Sequence, residues 1–334
     1  MGSMSISFYK LNYPAQFLGN KYRQRTHFCA KLFPALATQS SSILVHSGES
    51  DNSQKCGRSP MPNMSLPNKD CSGGSVLYQA NAIGIIGGAS IDSTLNFLQR
   101  LTQWRSEAGK DCPPFLLCSD TQLREELLVY ERNSSPSLYT QATSSHFDHT
   151  PIVENLSRKR EYLERGGSRC LVMPCHLLHL WHEDISNGCS VPILHMGECV
   201  AKELKEAKLK PLETGSPLRF GLVATDAIMR AGIYQQKLQD EGFEVVLPDK
   251  ATTEHILFPA MEALNRKDIE GARNLLRIAL QVLLVRAVNM VIIASHDLCN
   301  LLPEDDPLLK KCIDPVDALV RSTIQWSQSV EECS

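Results

Sequence analysis

From Ala80 onward the chain alternates between short apolar segments and longer helical patterns, and this alternation constrains the fold more than any other feature. The candidate strands are residues 83–86, 115–118, 170–173, 219–224, 244–247 and 290–294. The helical patterns are residues 93–104, 154–165, 198–208, 234–241, 254–265 and 269–287. Continuous apolar strands alternating with helices are typical of a parallel sheet with both faces covered. The pattern therefore predicts an α/β fold.

The α/β pattern is doubled along the chain. Residues 79–194 are predicted to form a first domain, completed by the C-terminal segment 300–330, and residues 195–299 a second domain. In each, an apolar strand ends in reactive side chains, Cys175 with His176 and Ser295 with His296. Ligands of open parallel sheets bind beyond the carboxyl ends of the strands. If the two domains face each other, these clusters meet in a site between them.

Residues 1–78 differ in composition from the rest of the chain. No acidic residue precedes Glu49, and basic residues lie among hydroxylated and aromatic ones. A basic, hydroxylated and acid-poor segment is typical of an organelle transit peptide, so we expect a chloroplast protein. The alternative is a disordered tail without a targeting role, which would leave the protein in the cytoplasm.

Charge and cysteine spacing exclude several classes of function. The net charge of −3 offers no electrostatic basis for binding nucleic acid or a membrane surface. No apolar run approaches the roughly 18–20 residues of a membrane span. The 12 cysteines include no C-x-x-C pair, which argues against a zinc ribbon or a thioredoxin-type motif and favours reduced thiols.

A double glycine follows the first candidate strand and precedes a helix. Gly87 and Gly88 would let backbone N–H groups approach a ligand, and a helix N-terminus favours an anion. We therefore consider Gly88 and Ser90 candidates for binding a substrate carboxylate. The alternative is a tight turn with no ligand.

Cys175 follows a buried strand, and a helix is predicted to begin just after it. A helix N-terminus and a nearby imidazole both favour the thiolate, so its pKa is expected below the usual value of about 8.5. His176, His179 and Glu183 are possible proton partners. The alternative is a core cysteine. No metal site is predicted, because H-E-x-x-H is absent around His182 and the histidine spacing diverges.

Two further strands end in hydroxyl residues. Thr225 could donate to a carboxylate, or could simply cap the following helix. Ser295 stands beside His296 and Asp297, but adjacent residues after a strand point in different directions. Because a catalytic triad is set by geometry rather than adjacency, none is predicted here.

Taken in order, these motifs resemble the aspartate/glutamate racemase family over residues 80–325. The matching segments are Gly84-Ile85-Ile86-Gly87-Gly88, Met173-Pro174-Cys175, His195-Met196, Gly221-Leu222-Val223-Ala224-Thr225 with Gly232 and Tyr234, and Ile313-Asp314-Pro315. With its N-terminal extension, the chain looks like a plant member. The resemblance implies two α/β domains related by a pseudo-twofold axis, no cofactor, and a small amino acid or carboxylate as substrate. Because relatives often dimerise, a homodimer is one expectation.

The resemblance also implies a mechanism in which one cysteine removes the α-proton and a second cysteine, on the opposite face, returns one. Cys175 matches the first cysteine, whereas Ser295 stands in the place of the second. A serine hydroxyl is a much weaker acid than a thiol and a poor unaided base, so His296 is the candidate to act instead or to activate Ser295.

The substrate-binding positions depart from the family as well. His176 and Leu177 replace the Asn and Thr that hold the substrate's α-carboxylate in relatives, and His176 becomes the candidate for that role. Arg124, Arg266 and Lys267 are candidate partners for a side-chain carboxylate. The sequence thus predicts a cofactor-independent racemase or isomerase of a small acidic amino acid. Alternatives are a cysteine-dependent lyase or hydrolase, and a catalytically silent binding protein for a small carboxylate.

Overall fold

A computed structural model describes residues 43–46, 79–107, 111–134, 147–212 and 215–333, and shows two parallel β-sheets flanked by helices. The strands are β1 (Ile43–His46), β2 (Ile83–Ile86), β3 (Phe115–Ser119), β4 (Cys170–Val172), β5 (Ile193–Leu194), β6 (Arg219–Ala224), β7 (Glu244–Val246), β8 (Met290–Ala294) and β9 (Cys312–Ile313). The helices are α1 (Ile91–Glu107), α2 (Thr121–Ser134), α3 (Thr150–Arg165), α4 (His182–Ser186), α5 (Met196–Glu206), α6 (Asp226–Ala231), α7 (Ile233–Asp240), α8 (Lys250–Thr252), α9 (Phe258–Asn265), α10 (Ile269–Val285), α11 (His296–Cys299) and α12 (Pro315–Cys333). Two 3₁₀ helices, His176–Trp181 and Pro307–Lys311, and a π-helical turn, Thr253–Leu257, complete the elements.

The two sheets share one strand order. The first sheet runs β1-β3-β2-β4-β5 and the second β7-β6-β8-β9, with parallel pairing throughout. Leaving β1 aside, each sheet has its first strand in the middle, flanked by its second and third strands. The predicted doubled α/β architecture is therefore confirmed. Cys175 and Ser295 follow the equivalent strands β4 and β8.

Helices cover both faces of the central strands. Every residue of β2, β4 and β8 is buried, as expected for apolar strands in parallel sheets. One hydrophobic cluster joins the two halves, since it includes Ile85 and Phe97 from the first and Phe220 and Tyr234 from the second. The residues that follow the central strands therefore meet where the halves pack together.

The C-terminal segment contributes to both halves. β9 pairs with β8 at the edge of the second sheet, although the sequence placed residues 300–330 with the first domain. α12 packs against α5 and α1. Asp314 and Asp317 both lie 2.7 Å from Nη1 of Arg100 on α1, so a half-buried ion-pair cluster fastens the start of α12 to the first half.

Several elements differ from the sequence prediction. β1 lies within residues 1–78, which the sequence predicts to be a transit peptide or a disordered tail, and it pairs with β3. The transit-peptide prediction otherwise concerns residues outside those described. β5 and β9 have only two residues each, too few for a recognisable pattern, and α2 was not predicted at all. None of the described helices combines the length and the apolar character that crossing a membrane requires.

Candidate active site

Cys175 lies just beyond the carboxyl end of β4, as the residue that precedes the 3₁₀ helix His176–Trp181. Its side chain is buried among the core residues of the first half. The backbone N–H groups of Ala89, Leu177 and Leu178 act to lower the pKa of Cys175. Such donors stabilise the charged form of an acceptor, so this position suits a thiolate.

Gly88 makes room for this thiol. A Cβ added at Gly88 would lie 2.2 Å from Cys175 Cβ and 2.6 Å from Cys175 Sγ, well inside any contact that real Cβ atoms make. The glycine therefore allows the β2–α1 turn to lie directly against Cys175. Its predicted role in binding a carboxylate, like that of the half-buried Ser90, stays a prediction.

The pKa of Cys175 moves in the direction opposite to the one predicted. Burial raises it and outweighs the three backbone N–H groups, which lower it. Glu131 raises it further by electrostatic repulsion. The predicted lowering was wrong for the ligand-free protein, because the sequence revealed the donors but not the depth of burial. Cys175 is therefore a thiol in this structure, and nearby backbone N–H groups would stabilise its thiolate.

His176 contacts the other half of the molecule. Its Nδ1 atom lies 2.7 Å from the hydroxyl oxygen of Tyr234 on α7, and that hydroxyl lies 3.1 Å from Sδ of Met196. The Nε2 atom of His176 is buried without a hydrogen-bond partner among the described residues. Burial, with a smaller effect from His296, lowers the pKa of His176 to about 3. The ring is therefore neutral near pH 7 and serves as a hydrogen-bonding group rather than a proton reservoir.

Thr225 and Ser295 follow neighbouring strands of the second sheet. The register pairs Ala224 with Ala294, so the two hydroxyl residues leave the sheet side by side. Each precedes a short helix, and neither hydroxyl caps that helix. The capping alternative considered for Thr225 is therefore not what the structure shows.

His296 adds an imidazole to this second cluster. It is half-buried, and its Nδ1 atom has no hydrogen-bond partner among the described residues, while Nε2 lies 3.4 Å from Nδ2 of Asn300. Burial lowers the pKa of His296, and Asp297 and Asp314 act to raise it. His296 also acts to lower the pKa of His176, and the 3₁₀ helix that begins at His176 contacts α6 of the second half.

Glu131 is a site residue that the sequence analysis missed. It lies near the C-terminal end of α2, and Thr225 acts to lower its pKa, although the buried Thr225 hydroxyl has no hydrogen-bond partner in the described part of the structure. Burial raises the pKa of Glu131, and Asp297 raises it further. One signal could have revealed it, because Glu131 follows the buried Leu123 and Leu127 at four-residue spacing and so continues the inward face of α2.

The basic residues predicted to bind a substrate side-chain carboxylate lie away from Cys175 and Ser295. Arg124 is exposed on α2, and no described contact links it to Cys175 or Ser295. Arg266 is likewise exposed, and it pairs with Glu262 on its own helix at 3.6 Å. Lys267 occupies the turn after α9 with a left-handed backbone. The structure therefore brings none of these three side chains into the candidate site.

Three histidines cluster behind the site. The ring centroids of His179 and His195 are 4.9 Å apart, and those of His182 and His195 are 4.8 Å apart. Their nitrogens bond to backbone groups, with His179 Nε2 3.0 Å from the carbonyl of Met173 and His195 Nδ1 3.1 Å from the N–H of Gly197. Among the described residues, no group of three or more His, Cys, Asp or Glu side chains is arranged to hold a metal ion. These histidines therefore hold the backbone that follows β4 and β5 in place through hydrogen bonds.

Comparison with known proteins identifies the family. The model of the Asp/Glu/hydantoin racemase family matches residues 86–323 of the 334. The chain belongs to the Asp/Glu/hydantoin racemase family. A broad specificity amino-acid racemase of Bacillus subtilis is 25% identical over 167 residues, which make up 50% of this chain and 64% of that protein. This chain thus spans less than two thirds of that relative's length.

Solved structures share the fold. A homologue of aspartate racemase from Pyrococcus horikoshii has a TM-score of 0.58 and 20% identity, over 74% of this chain and 99% of that one. The aspartate racemase of Picrophilus torridus has a TM-score of 0.54 and 21% identity, over 74% and 94% of the two chains. At these identities the similarity establishes the two-domain racemase architecture alone. The family resemblance inferred from the motifs is confirmed, and with it the fold.

Proposed function

We propose that this protein is a cofactor-independent amino-acid racemase in which Cys175 exchanges the α-proton on one face of the substrate. The observation that carries the proposal is the position of Cys175, which lies between β4 and a 3₁₀ helix, directly against Gly88, and that 3₁₀ helix contacts α6 of the second half. Membership in the Asp/Glu/hydantoin racemase family supports racemisation as the class of reaction. The name of the Bacillus subtilis relative supports an amino acid as substrate.

Cys175 acts as the base on the first face. An α-proton is weakly acidic, so the base must be positioned, desolvated and available as an anion. The three backbone N–H groups stabilise the thiolate, while burial keeps the resting group protonated. A substrate ammonium beside Sγ would shift this balance towards the thiolate, because an opposite charge nearby favours the ionised form. The proton leaves Cα and the electron pair of the thiolate forms the new S–H bond.

His296 completes the second face in this proposal. The Ser295 hydroxyl is too weak an acid to return a proton unaided. His296 Nδ1 is buried without a described partner, and Asp297 and Asp314 favour its protonated form against the effect of burial. Transfer of the Cys175 thiol proton to His296 when substrate binds would give the thiolate and the imidazolium together, and His296 can then deliver that proton to Cα directly or through the Ser295 hydroxyl. Cys175 then ends as a thiol and His296 as a neutral ring, which restores the resting state of both.

Two further parts of the proposal rest on the sequence. The acid-poor extension supports import into the chloroplast, which a fluorescent fusion of residues 1–78 would test in leaf cells. The frequent dimerisation of relatives supports a homodimer, and the molar mass from light scattering would test it.

Exchange of the α-proton tests the activity. The full-length protein is incubated in heavy water with L- and D-amino acids covering acidic, neutral and basic side chains, and proton NMR follows loss of the α-proton signal. We expect exchange with at least one amino acid, its loss in Cys175→Ala, and its retention in Cys189→Ala. Cys189 is the matched control because its thiol bonds to Val191 and Glu164, in the first half.

The stereochemical outcome tests the second face. His296→Gln should retain exchange of the enantiomer that Cys175 faces and lose interconversion, whereas Ser295→Cys should accelerate interconversion. Exchange that persists in Cys175→Ala would refute the assigned role of Cys175. No exchange with any amino acid, in a protein that still binds one of them, would instead favour the catalytically silent binding protein.

A further inference from the structure

An ion-pair cluster joins the two halves at the edge of the candidate site. Arg100, on α1 of the first half, has its Nη1 atom 2.7 Å from Oδ2 of Asp314 and 2.7 Å from Oδ1 of Asp317. Its Nε–H donates to Oδ1 of Asn96, 3.1 Å away on the same helix. We call Arg100, Asp314 and Asp317 the Arg100 cluster. With only 16% of its side chain exposed, Arg100 is held by partners on both sides of the boundary.

The first end of the Arg100 cluster leads to Cys175. α1 begins at Ile91, three residues after Gly88. Gly88 lies directly against the thiol, since an added Cβ would be 2.2 Å from Cys175 Cβ. The helix is continuous over 17 residues, and Phe97 on its inward face is fully buried in the core. Arg100 therefore belongs to the same rigid element as the turn that contacts Cys175.

The second end of the Arg100 cluster leads to Ser295 and His296. Asp314 directly follows β9, and β9 pairs in parallel with β8. Because Ser295 directly follows β8, Asp314 and Ser295 leave neighbouring strands at the carboxyl edge of the second sheet. Oδ1 of Asp314 also accepts from the N–H of Val316 at 3.0 Å, which ties this carboxylate to the start of α12. Asp314 is thus part of the strand edge that carries the second face of the site.

We propose that the Arg100 cluster sets the separation between Cys175 on one face of the substrate and Ser295 with His296 on the other, so that Arg100 and Asp314 are positioning residues. This inference rests on the proposed function. Proton transfer on two faces requires both groups in place at once, and a misplacement of about 1 Å costs about a hundredfold in rate. A guanidinium is a rigid fork of donors, so its pairing with carboxylates fixes direction as well as distance.

Opening the Arg100 cluster should affect two measurable rates unequally. Exchange of the α-proton of the enantiomer that Cys175 faces depends on the first half, whose own contacts remain. Interconversion of the enantiomers depends on both faces. The ratio of interconversion to exchange therefore reports the alignment of the two faces, whereas a general loss of stability lowers both rates together.

Two variants open the Arg100 cluster from opposite ends. Proton NMR in heavy water measures exchange, and chiral chromatography measures interconversion, for the full-length protein and the amino acid that the wild type exchanges fastest. We expect Arg100→Met to lower the ratio at least about tenfold. Asp314→Asn should lower it by a smaller factor, because Asp317 still holds the guanidinium and the asparagine oxygen can still accept from Val316. The double variant should match Arg100→Met, since both changes break one interaction.

Glu203→Gln is the matched control. Glu203 on α5 pairs with Arg321 on α12, and the exposed fractions of these side chains, 24% and 16%, are close to the 17% and 16% of Asp314 and Arg100. This pair also fastens α12 to another helix, but neither residue follows a strand of the site. We expect Glu203→Gln to lower the urea midpoint and to leave the ratio within about twofold of the wild type.

The outcomes separate this inference from the proposed function. A ratio that falls in Arg100→Met and Asp314→Asn but not in Glu203→Gln supports the inference. An unchanged ratio in Arg100→Met, or an equal fall in Glu203→Gln, would overturn it while the racemase proposal stands. Exchange without interconversion in the wild type would also overturn it, because the second face would then take no part. Absence of both reactions with every amino acid would overturn the racemase proposal, and this inference with it.

Discussion

Replacing Gly88 by alanine tests whether the turn after β2 fixes the position of Cys175. The added Cβ would meet Cys175 Cβ at 2.2 Å and Sγ at 2.6 Å, and Leu178 Cδ1 at 3.5 Å. The contact with Cys175 Cβ lies more than 1 Å inside the usual carbon–carbon separation of about 3.5–4.0 Å. Cys175 cannot yield by rotating its side chain alone, because its Cβ atom makes the closest contact. The backbone at one of the two residues must therefore move by about 1 Å.

Two consequences follow from that movement. Overpacking of a buried contact destabilises a fold by about 1–3 kcal/mol, which should appear as a lower urea midpoint. A displacement of about 1 Å at a reacting atom costs about a hundredfold in rate. We therefore expect Gly88→Ala to fold with reduced stability and to lose at least 90% of the α-proton exchange.

A glycine remote from the site separates these effects. Gly242 has a φ of 82° and no atom within 4 Å of an added Cβ, so Gly242→Ala costs about 1–2 kcal/mol through backbone strain alone. This control should lose stability and retain exchange. Alkylation of Cys175, followed by mass spectrometry, measures the thiol directly. Wild-type stability and exchange in Gly88→Ala would refute the close contact between Gly88 and Cys175.

Two further predictions concern the histidines. Tyr234→Phe should destabilise the fold by about 1–3 kcal/mol in urea, because it leaves the buried Nδ1 of His176 without its partner, and nitrogen NMR of the ring should show a mixture of tautomers. Burial lowers the pKa of His176 to about 3 and of His195 to about 4, so the unfolded chain binds more protons than the native protein below pH 6.5. The free energy of unfolding should be full above pH 6.5 and fall towards pH 5 by about 1.4 kcal/mol per pH unit for each histidine. His195→Asn, in which the asparagine can still cap α5, should reduce this slope.

The fold was predictable because its signal is local and repeated. Each central strand is an uninterrupted apolar segment, and β2, β6 and β8 begin and end where the sequence placed them. The two-residue strands β5 and β9 carry too short a pattern to be distinguished from a loop. β9 illustrates a second limit, because which sheet an edge strand joins depends on the packing of α12 rather than on the strand's own residues.

The site was predictable only at positions that directly follow a strand. Cys175, Thr225, Ser295 and His296 all occupy such positions, and the parallel topology brings them to one boundary. Glu131 escaped notice because it lies on a helix, 44 residues before Cys175 in the sequence. A carboxylate on a helix is usually solvated, and its placement on the inward face of α2 is recognisable only once Leu123 and Leu127 are known to be buried.

The wrong prediction for the pKa of Cys175 also bears on the proposed mechanism. The sequence showed the helix start that lowers a thiol pKa, but not the burial and the Glu131 carboxylate that together raise it. In the proposed reaction, the raised pKa of Cys175 has a role. The α-ammonium of a bound amino acid would offset the field of Glu131 and so favour the Cys175 thiolate only when a substrate is present. A buried thiol beside a carboxylate is therefore consistent with a base that is ionised by binding.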